Sequence, residues 1–158
     1  MSTVEASNNR QTVLHSIILA DDDPDDHEFF RDILQDINSS IKLNIVKDGA
    51  ELLQLLPHFV PDLLFLDLEM PVKNGLECLR EIRNTPHLKD LPVVVFSSTT
   101  RPANIETAYE MGADLFLIKS HSYSDLLSSV KALLDLDWSN PAQIKEQYRV
   151  NDRYTAFM

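Results

Sequence analysis

The sequence predicts an α/β domain built on a parallel sheet, and three observations carry that prediction. Short apolar runs recur along the chain, among them LHSIILA at 14–20, LLFL at 63–66 and VVVF at 93–96. After each run, large apolar residues return every three or four positions, which is the period of a helix lying on a core. Two of the runs have no polar alternation at all, so they read as strands buried on both faces, as in the middle of a parallel sheet. Strand followed by helix, repeated, calls for right-handed crossovers with helices on both sides of the sheet.

The totals narrow the class. A chain of 158 residues is a one-domain length with room for a real core, and 44% hydrophobic residues exclude a wholly disordered protein. A formal charge of -11 argues against nucleic-acid binding, which needs basic patches, and suits a protein that gathers carboxylates around a cation. Cys78 is the one cysteine, which leaves no internal disulfide and fits a reducing cytoplasm. The opening MSTVEASNNRQT lacks a signal pattern, and no apolar run approaches the ~20 residues of a membrane span. With only Gly49, Gly75 and Gly112, neither a dinucleotide fingerprint nor a phosphate loop can be built.

Residues 1–12 read as a loose arm, 13–137 as the domain and 138–158 as an extension. The first strand (14–20) leads into Asp21-Asp22-Asp23-Pro24-Asp25-Asp26. Asp23 suits a helix cap with Pro24 in the first turn, and Phe29, Phe30, Ile33, Leu34 and Ile37 mark the buried side of that helix. The second strand, 41–47, precedes a helix opened by Asp48-Gly49 and buried through Leu52, Leu53, Leu55 and Leu56. The third, ending at Asp67, precedes a helix through Leu76, Leu79 and Ile82. The fourth, 91–97, precedes a helix over Ile105, Ala108 and Tyr109 that stops at Gly112, a left-handed cap. The fifth, 115–119, is followed by Ser122 and Asp125 at capping-box spacing and a helix through Leu134. Five such units favour the open flavodoxin-like order 2-1-3-4-5, a three-layer sandwich.

In that order strands 1 and 3 are neighbours at the topological switch point, where open α/β sheets bind ligands. Asp21, Asp22 and Asp67 then meet at one sheet edge. Like charges this close raise each other's pKa unless a cation sits among them, and a few carboxylates with retained waters describe a Mg²⁺ site. Asp23 reads as a cap, and Asp25 and Asp26 as acids attracted to a helix N-terminus. Ser97 and Lys119 end strands 4 and 5 at the same edge. The Lys119 ammonium could neutralise the carboxylates or hold a phosphoryl oxygen, and the Ser97 hydroxyl could donate to the same group. The five histidines lack metal-ligand spacing and read as surface or core residues.

The segments IILADDDPDD, LLFLDLEMPVKNG, VVVFSSTT and AYEMGADLFLIK, in order, resemble the receiver domain of two-component response regulators over roughly 14–137. The resemblance implies that Asp67 accepts a phosphoryl group from a sensor histidine kinase or a histidine phosphotransfer protein. It implies Mg²⁺ held by Asp21, Asp22 and Asp67 with the backbone carbonyl of Glu69. It implies phosphoryl contacts from Ser97 and Lys119, and Phe116 at the aromatic switch position, with the protein catalysing its own phosphorylation and dephosphorylation rather than acting as a conventional enzyme. Two departures stand out: Ser120 replaces the proline that follows the lysine in relatives, and Glu69 brings an acid beside Asp67. A cis bond before a non-proline costs ~2.5–4 kcal/mol, so the Lys119–Ser120 bond is expected to be trans.

Two other classes compete. A phosphatase of the haloacid dehalogenase type needs a second Asp two residues after its nucleophile, where Glu69 fits poorly. A phosphorylation-independent adaptor would not need the full set of site residues. The residues after Asp137 are too few for a DNA-binding output domain, so the output is expected to be protein binding, with no nucleic-acid or membrane partner. In the extension, Asn140-Pro141 with Ile144 and Tyr148 predicts a short helix over about 141–149. Trp138, Val150, Tyr154 and Phe157 either cover apolar surface of their own domain or form part of a homodimer or partner contact.

Overall fold

The computed structural model describes residues 13–151 and 153–157; the expected arm at 1–12 lies outside the described residues. Five parallel strands form one sheet in the order β2-β1-β3-β4-β5, with β1 Ser16–Ala20, β2 Lys42–Val46, β3 Leu63–Leu66, β4 Val93–Ser97 and β5 Leu115–Ile118. The intervening helices are α1 Pro24–Ile37, α2 Gly49–Leu55, α3 Gly75–Arg83, α4 Pro102–Glu110 and α5 Tyr123–Leu134. This is the flavodoxin-like arrangement that the alternating pattern predicts.

The unbroken apolar runs have a clear physical cause. Successive strand side chains point to opposite faces, and both faces are covered. Ile18, Leu64, Leu66, Val93, Val95 and Phe116 belong to the core beneath α2, α3 and α4. Their neighbours Ile17, Leu19, Leu63, Phe65, Val94, Phe96, Leu115 and Leu117 belong to the core beneath α1 and α5. All four residues of β3, the middle strand of the five, are buried.

The helix starts follow local chemistry. Asp23 caps α1 by accepting from the Asp25 N–H at 2.9 Å, with Pro24 in the first turn. Asp48 caps α2, accepting from the Glu51 N–H at 2.8 Å. The reciprocal capping box forms at α3, where Asn74 accepts from the Glu77 N–H and Glu77 accepts from the Asn74 N–H, both at 3.0 Å. At α5 only half of the expected box forms. Ser122 accepts from the Asp125 N–H at 3.2 Å, but the Ser122 N–H goes to the Ser120 hydroxyl at 3.1 Å. The shorter Asp side chain reaches back less readily than the usual Glu. Met111 caps the C-terminus of α4, and Gly112 follows with φ 117°, a conformation that side chains resist.

The extension packs on its own domain. A helix α6 spans Pro141–Gln147, where the sequence predicts one, and a small antiparallel hairpin pairs β6 Arg149–Val150 with β7 Arg153–Tyr154. Trp138 is buried and donates its indole N–H to the Leu133 carbonyl at 3.0 Å; Ile144 and Phe157 are buried in the α1/α5 core. Tyr154 stacks on Tyr109 at 4.7 Å between ring centroids, while Val150 stays exposed. The chain end then lies along the open edge of β5: Phe157 forms a parallel bridge with Leu117 and donates its N–H to the Phe116 carbonyl at 2.7 Å. An edge strand with free backbone groups invites wrong pairing, and this segment covers it.

Candidate functional site

The sheet register delivers the polar residues to one edge. Beyond β1 the Asp21 N–H donates to the Val46 carbonyl at 3.0 Å, and beyond β3 the Asp67 N–H donates to the Ala20 carbonyl at 2.9 Å. These bonds continue the ladder by one residue, so Asp21 and Asp67 stand side by side at the switch point. Across the sheet the Lys119 N–H donates to the Ser97 carbonyl at 2.8 Å, which brings that pair to the same edge. Carboxylate oxygens of Asp21, Asp22 and Asp67 all lie within 4.8 Å of one another. Asp21 and Asp67 are buried and Asp22 is exposed.

Lys119 closes the group. Its Nζ sits 2.8 Å from Asp26 Oδ2, 2.9 Å from Asp21 Oδ2 and 3.4 Å from Asp67 Oδ2, and 5.3 Å from the centroid of the Phe96 ring. Burial disfavours the ammonium, but its hydrogen bond to Asp26 and its ion pairs with Asp21 and Asp67 outweigh that, holding Lys119 above the ordinary lysine range. Burial pushes the Asp67 carboxyl up to about 6, with Lys119 pulling the other way and Asp21 adding repulsion. Burial likewise raises Asp21. At pH 7 Asp67 is still mainly ionised.

Asp21 Oδ2 is a buried oxygen with no hydrogen bond. The ammonium at 2.9 Å is an ion pair out of line for one. A cluster of hard oxygen donors, one of them short of a partner, fits a divalent cation of the Mg²⁺ or Mn²⁺ kind. The loop after β3 helps shape this pocket. The Glu69 N–H donates to Asp67 Oδ1 at 3.2 Å, and the Glu69 side chain is exposed. Gly75, first residue of α3, abuts the end of β3 so closely that a Cβ there would lie 2.2 Å from the Asp67 carbonyl oxygen. Ser97 is buried, its hydroxyl accepting from the Thr99 N–H at 3.3 Å. Phe116 is buried among the α4 residues Ile105, Ala108 and Tyr109. The Lys119–Ser120 peptide is trans.

One sequence reading needs correction. Asp26, in the first turn of α1, is more than an acid at its own helix end: its carboxylate accepts from Lys119, a residue of the distant β5 end. An ammonium outbids weak dipole attraction. His27 is half-buried on α1; its Nε2 lies 2.5 Å from the Asp21 carbonyl oxygen, and a carbonyl only accepts, so this nitrogen carries the proton. Nothing in the sequence marks Gly75 or Phe96 as part of the site; packing alone sets Gly75 against the Asp67 carbonyl and the Phe96 ring beside the Lys119 ammonium.

An open parallel sheet with a cation-type carboxylate pocket and a lysine at its switch point defines a doubly wound domain that works at its carboxyl edge. Residues 17–131 match the response regulator receiver domain, and the chain belongs to that family. Response regulator Rcp1 of Synechocystis is 30% identical over 124 residues, covering 74% of this chain and 84% of Rcp1. Transcriptional regulatory protein CpxR of Klebsiella pneumoniae is 31% identical over 134 residues, 84% of this chain but 55% of CpxR. Among solved structures, the phosphorylated cyanobacterial phytochrome response regulator RcpA superposes with TM-score 0.74 at 30% identity, covering 81% of this chain and 96% of RcpA. A Mn²⁺-bound form of Rcp1 gives TM-score 0.68 at 29% identity, covering 75% and 91%. Receiver domains are signalling modules that bind a divalent metal and work with histidine kinases or phosphotransfer proteins. Among the described residues no helix is long and apolar enough to cross a membrane.

Proposed function

We propose that Asp67 is the phosphoacceptor of a two-component pathway and that phosphorylation switches this domain between protein-binding states. The observation that carries the reading is the buried Asp67 carboxylate set 3.4 Å from the Lys119 ammonium and among the Asp21 and Asp22 oxygens. An Asp67 oxygen attacks the phosphorus of a phosphohistidine; the new O–P bond forms as the P–N bond breaks and its electron pair stays on the imidazole nitrogen. Phosphoryl transfer asks little of the protein beyond positioning and charge neutralisation. Lys119 supplies one positive charge at the acceptor. Asp21, Asp22, Asp67 and the Glu69 carbonyl would hold Mg²⁺, whose chemistry is further neutralisation of the phosphoryl charge. The Ser97 hydroxyl donates to a phosphoryl oxygen, and its movement releases room in which Phe116 repacks against α4, altering the α4, β5 and α5 surface.

The donor is a sensor histidine kinase or a histidine phosphotransfer protein, and the target is a protein, in keeping with the acidic charge of -11 and a cytoplasmic setting. A homodimer would draw on other surface than Trp138 and Phe157, which are buried within the domain. Acetyl phosphate with Mg²⁺ should add one phosphoryl group to the wild type and none to Asp67→Asn, read by intact mass. Labelling of Asp67→Asn at the wild-type rate refutes the assignment. Asp22→Ala should weaken Mg²⁺ binding while leaving the fold intact; equal titration curves would remove Asp22 from the ligand set.

A further inference from the structure

We propose that Asp26 is a positioning residue for Lys119, holding its ammonium at the acceptor while Asp21 and Asp67 are engaged elsewhere; this rests on Asp67 being the phosphoacceptor. Lysine is a compact charge on a flexible four-carbon stem, and its position is set by what holds the head. Three carboxylates surround this head, and their geometry differs. Asp26 forms the aligned hydrogen bond at 2.8 Å, whereas Asp67 is 3.4 Å away and the Asp21 contact is out of line. Asp26 is also absent from the group of Asp21, Asp22 and Asp67 oxygens that cluster within 4.8 Å. When a cation takes up those oxygens and a phosphoryl group occupies Asp67, Asp26 is the partner that stays free to hold Lys119.

The local structure argues that this contact is built rather than incidental. Asp26 is the third residue of α1, where an acid ordinarily reaches back to the N-cap N–H. Here the Asp23 N–H is taken by Asp21 Oδ1 at 2.9 Å, and Asp26 turns to Lys119 across 93 positions of sequence. Beneath the ammonium the Phe96 ring at 5.3 Å supports the head from the sheet side. Asp26 above and Phe96 below leave Lys119 facing Asp67.

The test compares Asp26→Ala and Asp26→Ser, which cannot reach the ammonium, with Asp26→Asn, which keeps an acceptor oxygen in place. Initial rates of acetyl phosphate labelling are measured against donor concentration with Mg²⁺. Separately, the acylation rate of Lys119 is read by peptide mass spectrometry in metal-free protein. Melting curves verify folding, and two truncations guard against one misfolding. Both truncations should lower the maximal labelling rate at least about tenfold, within the loss a ~1 Å misplacement can cause, with little change in donor KM. Lys119 acylation should rise in the truncations and stay near wild type in Asp26→Asn, which should also keep most of the labelling rate. Wild-type labelling and wild-type Lys119 reactivity in the truncations overturn the proposal. Faster labelling in all variants also overturns it, because Asp26 would then act only as a repelling charge. If the wild type itself takes no label, the Asp67 reading fails, while unchanged or increased Lys119 acylation still decides whether Asp26 holds the lysine.

Discussion

At each end of the sheet one basic side chain faces acids and carbonyls, and the two are compensated in opposite ways. At the start of β4 and β5, Arg83 donates from Nε and Nη2 to the Gly112 carbonyl at 2.9 and 2.7 Å. It also donates to the Leu91 and Lys89 carbonyls at 2.7 and 3.0 Å and to Asp114 Oδ2 at 3.0 Å. Asp114 also accepts from the Val93 N–H at 2.9 Å, so one cation meets one anion and the remaining donors meet carbonyls. At the far ends of the same strands Lys119 faces Asp21, Asp26 and Asp67, with Asp22 alongside. Acid exceeds base there, and a buried oxygen lacks a hydrogen bond. The satisfied pair is a clamp between α3 and the sheet; the unbalanced one has affinity to spare for a cation. Perturbed, under-compensated charge marks the working end.

Breaking the clamp should give the largest effect on stability. Arg83→Ala leaves the half-buried Asp114 without its cation and several carbonyls without donors, which costs about 3 kcal/mol, the low end for a broken buried pair. Urea denaturation should show that loss, with the denaturant slope little changed. A loss under about 1 kcal/mol would mean the two ends are not built differently.

Neutralising the working end should have the reverse sign. The folded pKa of Asp67, about 6, lies above its ordinary 3.8, so the native state holds a proton that the unfolded chain has released. Metal-free stability therefore falls as pH rises from about 4 to 6, and the cost is fully present at pH 7. That difference corresponds to at most about 3 kcal/mol. Asp67→Asn should accordingly melt higher than wild type at pH 7 without metal, and the gap should close as pH falls towards 4. A lower melting temperature for Asp67→Asn at pH 7 would show that Lys119 already balances the group.

The smallest effect probes the covered edge of β5. The Tyr109 hydroxyl accepts from the Phe116 N–H at 3.0 Å and donates to the Thr155 carbonyl at 2.9 Å, tying the segment around Thr155 to β5. Tyr109→Phe removes both bonds and should cost about 1–2 kcal/mol. Amide hydrogen exchange should rise at Phe116 and Phe157 while Asp67 labelling persists; unchanged protection would mean that Phe157 holds the segment without help.

What was legible in the sequence follows from the range of the forces involved. The order of strands and helices, the buried β3, the caps at Asp23 and Asp48 and the Asp67 position all rest on neighbours within a few residues, whose periodicity and turn chemistry act locally. The assignment of Asp21, Asp22, Ser97 and Lys119 to one edge needs one further rule, that parallel strands end together. Asp26, Gly75 and Phe96 lie beyond that reach. An acid in the first turn of a helix has the same sequence signature whether it faces water or the sheet, and only the rotation of α1 on β1 turns Asp26 to Lys119. The extension divides the same way: Asn140-Pro141 announces a short helix, but the docking of Phe157 on Leu117 depends on where the β5 edge lies in space. Local propensity determined the elements of this protein, and packing, which brings residues 93 positions apart to 2.8 Å, decided which charges meet.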